Sequence, residues 1–201
     1  AITSGKHDAF FQSWFKTAPT DQTIYWSYFH EPENNISKGE FTVSQYRAAW
    51  TRLANIAKAA CKPNMHSTLI LTGWTMNPGS KRDYKVYDAG PEYIDVLAFD
   101  PYNFMYDTER TFYEPVDAMF GHIVTKMKAD GRPWGIAETG SRLVGGDANG
   151  AKRAAWLRAM GTHLTQQKAL FVTYFNSVGT NDYRLQDANS IAAWKTNVQM
   201  K

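Results

Sequence analysis

Hydrophobic and polar positions along the chain follow two periods in turn. Thr23–Phe29 is β-branched and aromatic and reads as a strand. Ser67–Thr72, Tyr93–Phe99, Trp134–Ala137 and Leu170–Phe175 read the same way. Between them the spacing changes to three and four. Thr42 with Gln45 forms a capping box, and Tyr46, Ala49, Trp50, Leu53, Ile56, Ala57 and Ala60 line one face of a helix that Lys62-Pro63-Asn64 ends. Pro115–Lys128, Ala151–Leu164 and Ile191–Val198 carry the same helical spacing, and Lys6–Thr17 (Phe10, Phe11, Trp14, Phe15) precedes the first strand as a helix. The order α-βα-β-βα-βα-βα, with near-continuous apolar strands, predicts an α/β fold with a parallel sheet covered on both faces. The connections are long enough for right-handed crossovers, and the one after the second strand is short or irregular. No composition break marks a linker, so 1–201 is expected to be a single domain.

The 201 residues are 43% hydrophobic and 20% charged, ordinary for a folded chain. Apolar runs are five residues or fewer, against the roughly 20 a membrane-spanning helix needs, so no membrane association is expected. Ala1–Lys6 carries no apolar signal core. The net charge of +3 arises from 22 basic residues scattered among 19 acidic ones, a solvated surface and not a nucleic-acid footprint. Cys61 stands alone, which excludes an intrachain disulfide and a zinc–cysteine cluster. Aromatic residues make up 14% of the chain; most fill a core, and some are of the kind that stack on sugar faces.

In a parallel α/β sheet, functional groups collect at the C-terminal ends of strands. Those ends read His30-Glu31-Pro32-Glu33-Asn34-Asn35, Gly73-Trp74-Thr75-Met76-Asn77, Asp100-Pro101-Tyr102-Asn103, Glu138-Thr139-Gly140-Ser141 and Asn176-Ser177. Glu31 and Glu138 emerge directly from apolar runs. A half-buried glutamate costs several kcal/mol unless paired or protonated. Capping of the next helix or loop is one explanation. The chemical one is a carboxyl pair flanking a glycosidic bond, one protonated and one ionised. Glu33 competes with Glu31, because both point the same way if the segment stays extended. His30, Glu31 and Glu33 also read as metal ligands, but no histidine of a third segment stands at a strand end.

Thr23–Asn35 resembles the fourth strand of a clan A retaining glycoside hydrolase, and Trp134–Gly140 the seventh-strand motif of that clan. Histidine directly before the first glutamate is similar to glycoside hydrolase family 26, the mannanase-like family, and Gly39–Trp50 and Asp100–Asn103 fit the same family. The resemblance spans most of the chain. It implies a TIM-type (β/α) barrel, here a partial one holding about strands four to eight. It implies Glu31 as general acid/base and Glu138 as nucleophile, roughly 5–5.5 Å apart as retention requires. His30 would bind substrate or orient the acid/base, Tyr102 would donate to the nucleophile, and Trp74 would stack on sugar; each also has an ordinary structural explanation. Tyr174 and Asn176 are further substrate-binding candidates, while Trp26 reads as core. The implied substrate is β-mannan or a related β-glycan, with no metal or organic cofactor, and a polymeric substrate implies secretion.

A complete barrel has eight units in roughly 250 residues. With Glu31 ending strand four, strands one to three are missing, and strands four and eight would be open edges. The expected remedies are a longer parent protein, a second chain that completes the barrel, or a self-sufficient half-barrel. Two other functions compete with hydrolysis: a glycan-binding or attachment domain, and a structural domain whose carboxylates are caps.

Overall fold

The computed structural model describes residues 2–103, 107 and 109–199. Its central strand, β3 (Val96–Asp100), is buried at all five positions, as its continuous apolar sequence requires. It lies between β2 (Met65–Thr72) and β4 (Trp134–Ile136), and β1 (Ile24–Trp26) flanks β2, so the parallel order is β1-β2-β3-β4. The predicted fifth strand, Leu170–Phe175, runs along β4 without becoming a regular strand. It exchanges Ile136 N–H to Phe171 O (2.9 Å) and Thr173 N–H to Ile136 O (3.0 Å) and forms a single bridge, Ile136 to Val172.

Helices cover one face of this sheet. They are α1 (Asp8–Thr17), α2 (Glu33–Ser37), α3 (Val43–Ala59), α4 (Gly73–Met76), α5 (Val116–Asp130), α6 (Ala151–Gln166) and α7 (Ala188–Asn197). The expected capping box starts α3: Thr42 Oγ1 accepts from the Gln45 N–H, and Gln45 Oε1 accepts from the Thr42 N–H. The short α2 and α4 had no periodicity to announce them. Trp26, Leu69, Leu71, Leu97, Phe99 and Ile136 point from the sheet into a core completed by Phe15, Trp50, Phe120, Ile123, Leu157 and Met160 from the helices. Trp26 is core, as read from its sequence, with its ring 4.8 Å from Phe15 and 5.4 Å from Trp50. Among the described residues no helix is long and apolar enough to cross a membrane.

The other face of the sheet is curled. Tyr25 of β1 and Phe171 of the fifth segment lie with ring centroids 4.4 Å apart. Four strand spacings of about 4.8 Å would separate them by about 19 Å in a flat sheet. Small residues permit the approach: a Cβ on Gly135 would stand 2.8 Å from the Phe171 ring. The four strands and the fifth segment thus roll into part of a parallel barrel, and the first and last of them touch through side chains across the interior.

Candidate active site

The strand ends converge at one rim of the curled sheet. The chain leaves β1 through a bend and reaches Glu31, whose N–H donates to Ile70 O of β2 at 3.0 Å. Phe29 and Glu31 both adopt left-handed backbone, with φ of 49° and 51°. Such conformations are strained for non-glycine residues and concentrate at functional sites. His30 is exposed at the rim and Glu31 is half-buried.

Glu33, the competitor, has a different setting. It starts α2, is 1% exposed, and its Oε1 accepts from the Thr72 N–H (2.8 Å), Thr72 Oγ1 (3.0 Å) and Thr75 Oγ1 (2.6 Å). The segment does not stay extended, so Glu31 and Glu33 part: one faces the rim and the other is walled in.

Glu138 stands two residues beyond β4. Its Oε2 accepts a 2.6 Å hydrogen bond from the Tyr102 hydroxyl. Tyr102 is held beside it by a bridge to Gly140 and by the Asn103 N–H donating to Gly140 O at 3.0 Å. Its ring packs against Phe175 and Tyr183. Burial, then the bond to Glu138, pushes the Tyr102 hydroxyl pKa far up, so it stays a donor. At Gly73 a Cβ would fall 2.6 Å from the Pro101 Cα, so only glycine lets the Asp100–Tyr102 turn pack this closely on the end of β2.

Asp100 is the member that sequence reasoning did not single out. It ends β3, is 5% exposed, and its carboxyl faces those of Glu31 and Glu138. Burial first, then the charges of Glu31 and Glu138, push its pKa up to about 9. Glu31 is also raised, by burial first and then by Glu33, with Glu138 adding to the rise; His30 and the hydrogen bond to Asp100 pull the other way. Three carboxyl groups thus share one rim, in surroundings that favour protons on Asp100 and Glu31. The signal was present: Asp100, like Glu31 and Glu138, is an acid at the end of an apolar run.

Trp74 lies on α4 with 54% of its surface exposed, beside Gly79. Asn176 and Tyr174 lie apart from this group in their contacts. Asn176 Oδ1 accepts from the Leu185 N–H at 2.7 Å and pins a loop. Tyr174 donates to Tyr183 O at 2.8 Å and packs its ring on Trp194 of α7, on the helix side of the sheet. Glu31, Glu138, Tyr102 and Asp100 are brought together, with His30 at their edge. Among the described residues no group of three or more His, Cys, Asp or Glu side chains is placed to hold a metal ion.

No protein-family model matches the chain, and no curated protein matches it in sequence. Solved structures do match it in fold. A GH5 xyloglucan-specific endo-β-1,4-glucanase from a metagenomic library superimposes with a TM-score of 0.65 at 12% identity, over 96% of this chain and 64% of that one. The catalytic domain of the Bacillus sp. JAMB-750 GH26 endo-β-1,4-mannanase gives 0.60 at 13%, over 96% and 57%. A GH26 β-mannanase from Bacteroides ovatus gives 0.56 at 16%, over 98% and 59%. The chain therefore spans less than two thirds of the length of these neighbours, and its fold is part of the TIM barrel on which these glycoside hydrolases are built.

Proposed function

We propose that the chain carries the catalytic carboxyl pair of a retaining glycoside hydrolase acting on a β-glycan such as β-mannan. The observation that carries this reading is the asymmetry of the pair. Glu138 accepts a 2.6 Å hydrogen bond from the Tyr102 hydroxyl, which stays protonated, while burial and the charge of Glu33 favour a proton on Glu31. In the first step Glu138 attacks the anomeric carbon. The glycosidic C–O bond breaks, and the Glu31 proton passes to the leaving oxygen. In the second, water attacks the glycosyl-enzyme, its proton returns to Glu31, and Glu138 leaves as carboxylate. Asp100, kept neutral beside them, adds no third negative charge and has a proton to share with Glu31. His30 and Trp74 contact the sugar chain at the rim. A polymeric glycan lies outside most cells, so the site of action is extracellular. No cofactor enters the scheme.

Reducing-sugar release from β-mannan, glucomannan, β-glucan and xylan by the purified chain tests this, with Glu138→Gln as control and product anomers followed by NMR. Release with retention, abolished in the variant, is expected. Inversion overturns the assignment, because it needs carboxyl groups farther apart, roughly 6.5–9.5 Å. The alternative reading is glycan binding without hydrolysis, which the glycoside hydrolase neighbours do not favour. It predicts saturable binding that survives Glu138→Gln, with no sugar released, and a second chain or a preceding segment would then be needed for catalysis.

A further inference from the structure

The path from β1 to Glu31 is one residue longer than the strand beside it. Trp26 pairs with Ser67, and the Glu31 N–H to Ile70 O bond sets Glu31 opposite Leu71. Five steps of one chain face four of its neighbour, a bulge of the kind that re-aims a side chain next to a site. The left-handed backbones of Phe29 and Glu31 absorb the extra residue. Such a conformation persists only if its surroundings hold it. On the near side Tyr46, buried in α3, donates its hydroxyl to Phe29 O at 3.2 Å. On the far side the hold is Glu33, two residues past Glu31, through its three hydrogen bonds from Thr72 and Thr75.

A neutral amide could accept those same bonds. A buried carboxylate is far costlier to keep than an amide, and Glu33 Oε2 is enclosed without a donor. The Glu33 carboxyl also acts beyond this packing, on Glu31. The groups that face Glu31 are Glu33 and His30 on its own segment, Asp100 from β3 and Glu138 beyond β4; among these charges Glu33 is the strongest that keeps a proton on Glu31.

We propose that Glu33 is a positioning residue for Glu31, tying the strained bulge to Thr72 and Thr75 so that the Glu31 carboxyl is aimed into the site from within the fold. This rests on the reading of Glu31 as acid/base.

The test compares the wild-type chain with Glu33→Gln and Glu33→Ala, each checked for native circular dichroism. Two readouts are taken: the 13C NMR titration of the Glu31 carboxyl, and the pH dependence of kcat and KM on the polymer that the chain cleaves. In Glu33→Gln the Glu31 midpoint falls by about one pH unit, and the alkaline limb of kcat moves with it. In Glu33→Ala kcat falls about tenfold or more with KM within about twofold, since the aim of Glu31 is lost while sugar contacts remain. Glu33→Gln restores most of that kcat at acid pH. An unchanged Glu31 midpoint in both folded variants, or a loss confined to KM, overturns the proposal. Should Glu33→Ala not fold, the Glu33→Gln titration decides alone. A shifted midpoint in a chain that hydrolyses nothing supports the hold of Glu33 on Glu31 and counts against the acid/base reading.

Discussion

Tyr102 donates its hydroxyl to Glu138 across 2.6 Å, from a turn that another strand end delivers. Hydrogen bonds to a charged partner contribute about 1.5–3 kcal/mol. Tyr102→Phe keeps the ring between Phe175 and Tyr183 and removes only the donor. If Glu138 is the nucleophile, kcat/KM falls roughly 10- to 150-fold, at about 1.4 kcal/mol per decade, with little change in thermal midpoint. Steady-state kinetics on the cleaved polymer check it; wild-type kcat/KM in the variant would remove Tyr102 from the site.

Asp100 couples the site to the pH dependence of folding. In the unfolded chain its carboxyl ionises near its ordinary value of 3.8, while in the fold it keeps its proton to about 9. Between those limits the unfolded state binds fewer protons than the native one, so stability falls as pH rises. Asp100→Asn replaces the neutral acid with a neutral amide of the same shape. The variant is expected to match wild type near pH 4 and to exceed it increasingly toward pH 9. Thermal midpoints measured across that range test this, and parallel curves would refute a protonated Asp100.

Trp74 is exposed and adds little to the fold, so Trp74→Ala should change stability by no more than about 0.5 kcal/mol. If its ring receives a sugar face, glycan affinity weakens several-fold, in line with the roughly 0.5–1.5 kcal/mol that ring contacts contribute beyond area burial. Calorimetric titration of the chosen glycan into Glu138→Gln, with and without Trp74→Ala, separates the two effects. Equal affinity would assign Trp74 to the surface alone.

The order of elements was readable because buried parallel strands and capped amphipathic helices leave strong periods; the capping box at Thr42 and the continuous run Val96–Phe99 are examples. Leu170–Phe175 reads as a strand by composition, but it pairs only toward β4, and one bridge is all that becomes regular. The choice between Glu31 and Glu33 turned on whether the segment stays extended. The bulge that separates them depends on contacts with Ile70, Thr72 and Tyr46, which are distant in sequence. Asp100 was overlooked for another reason: inside Asp100-Pro101-Tyr102-Asn103 it reads as an ordinary turn starter, and only the packing of three strand ends turns it into a neighbour of both glutamates.

The ring contact between Tyr25 and Phe171 also bears on how the chain reaches its fold. Each βα unit joins residues close in sequence and can form early, but this contact joins the first strand to the last segment. Long-range closures of this kind slow folding, because loop entropy is lost before the contact forms. During synthesis from the N-terminus, Tyr25 waits without its partner until Phe171 has emerged, with one face of β1 and β2 uncovered meanwhile. The roll of the sheet therefore closes no earlier than the emergence of Phe171, and the rim that carries Glu31 and Glu138 cannot take its final curvature before then.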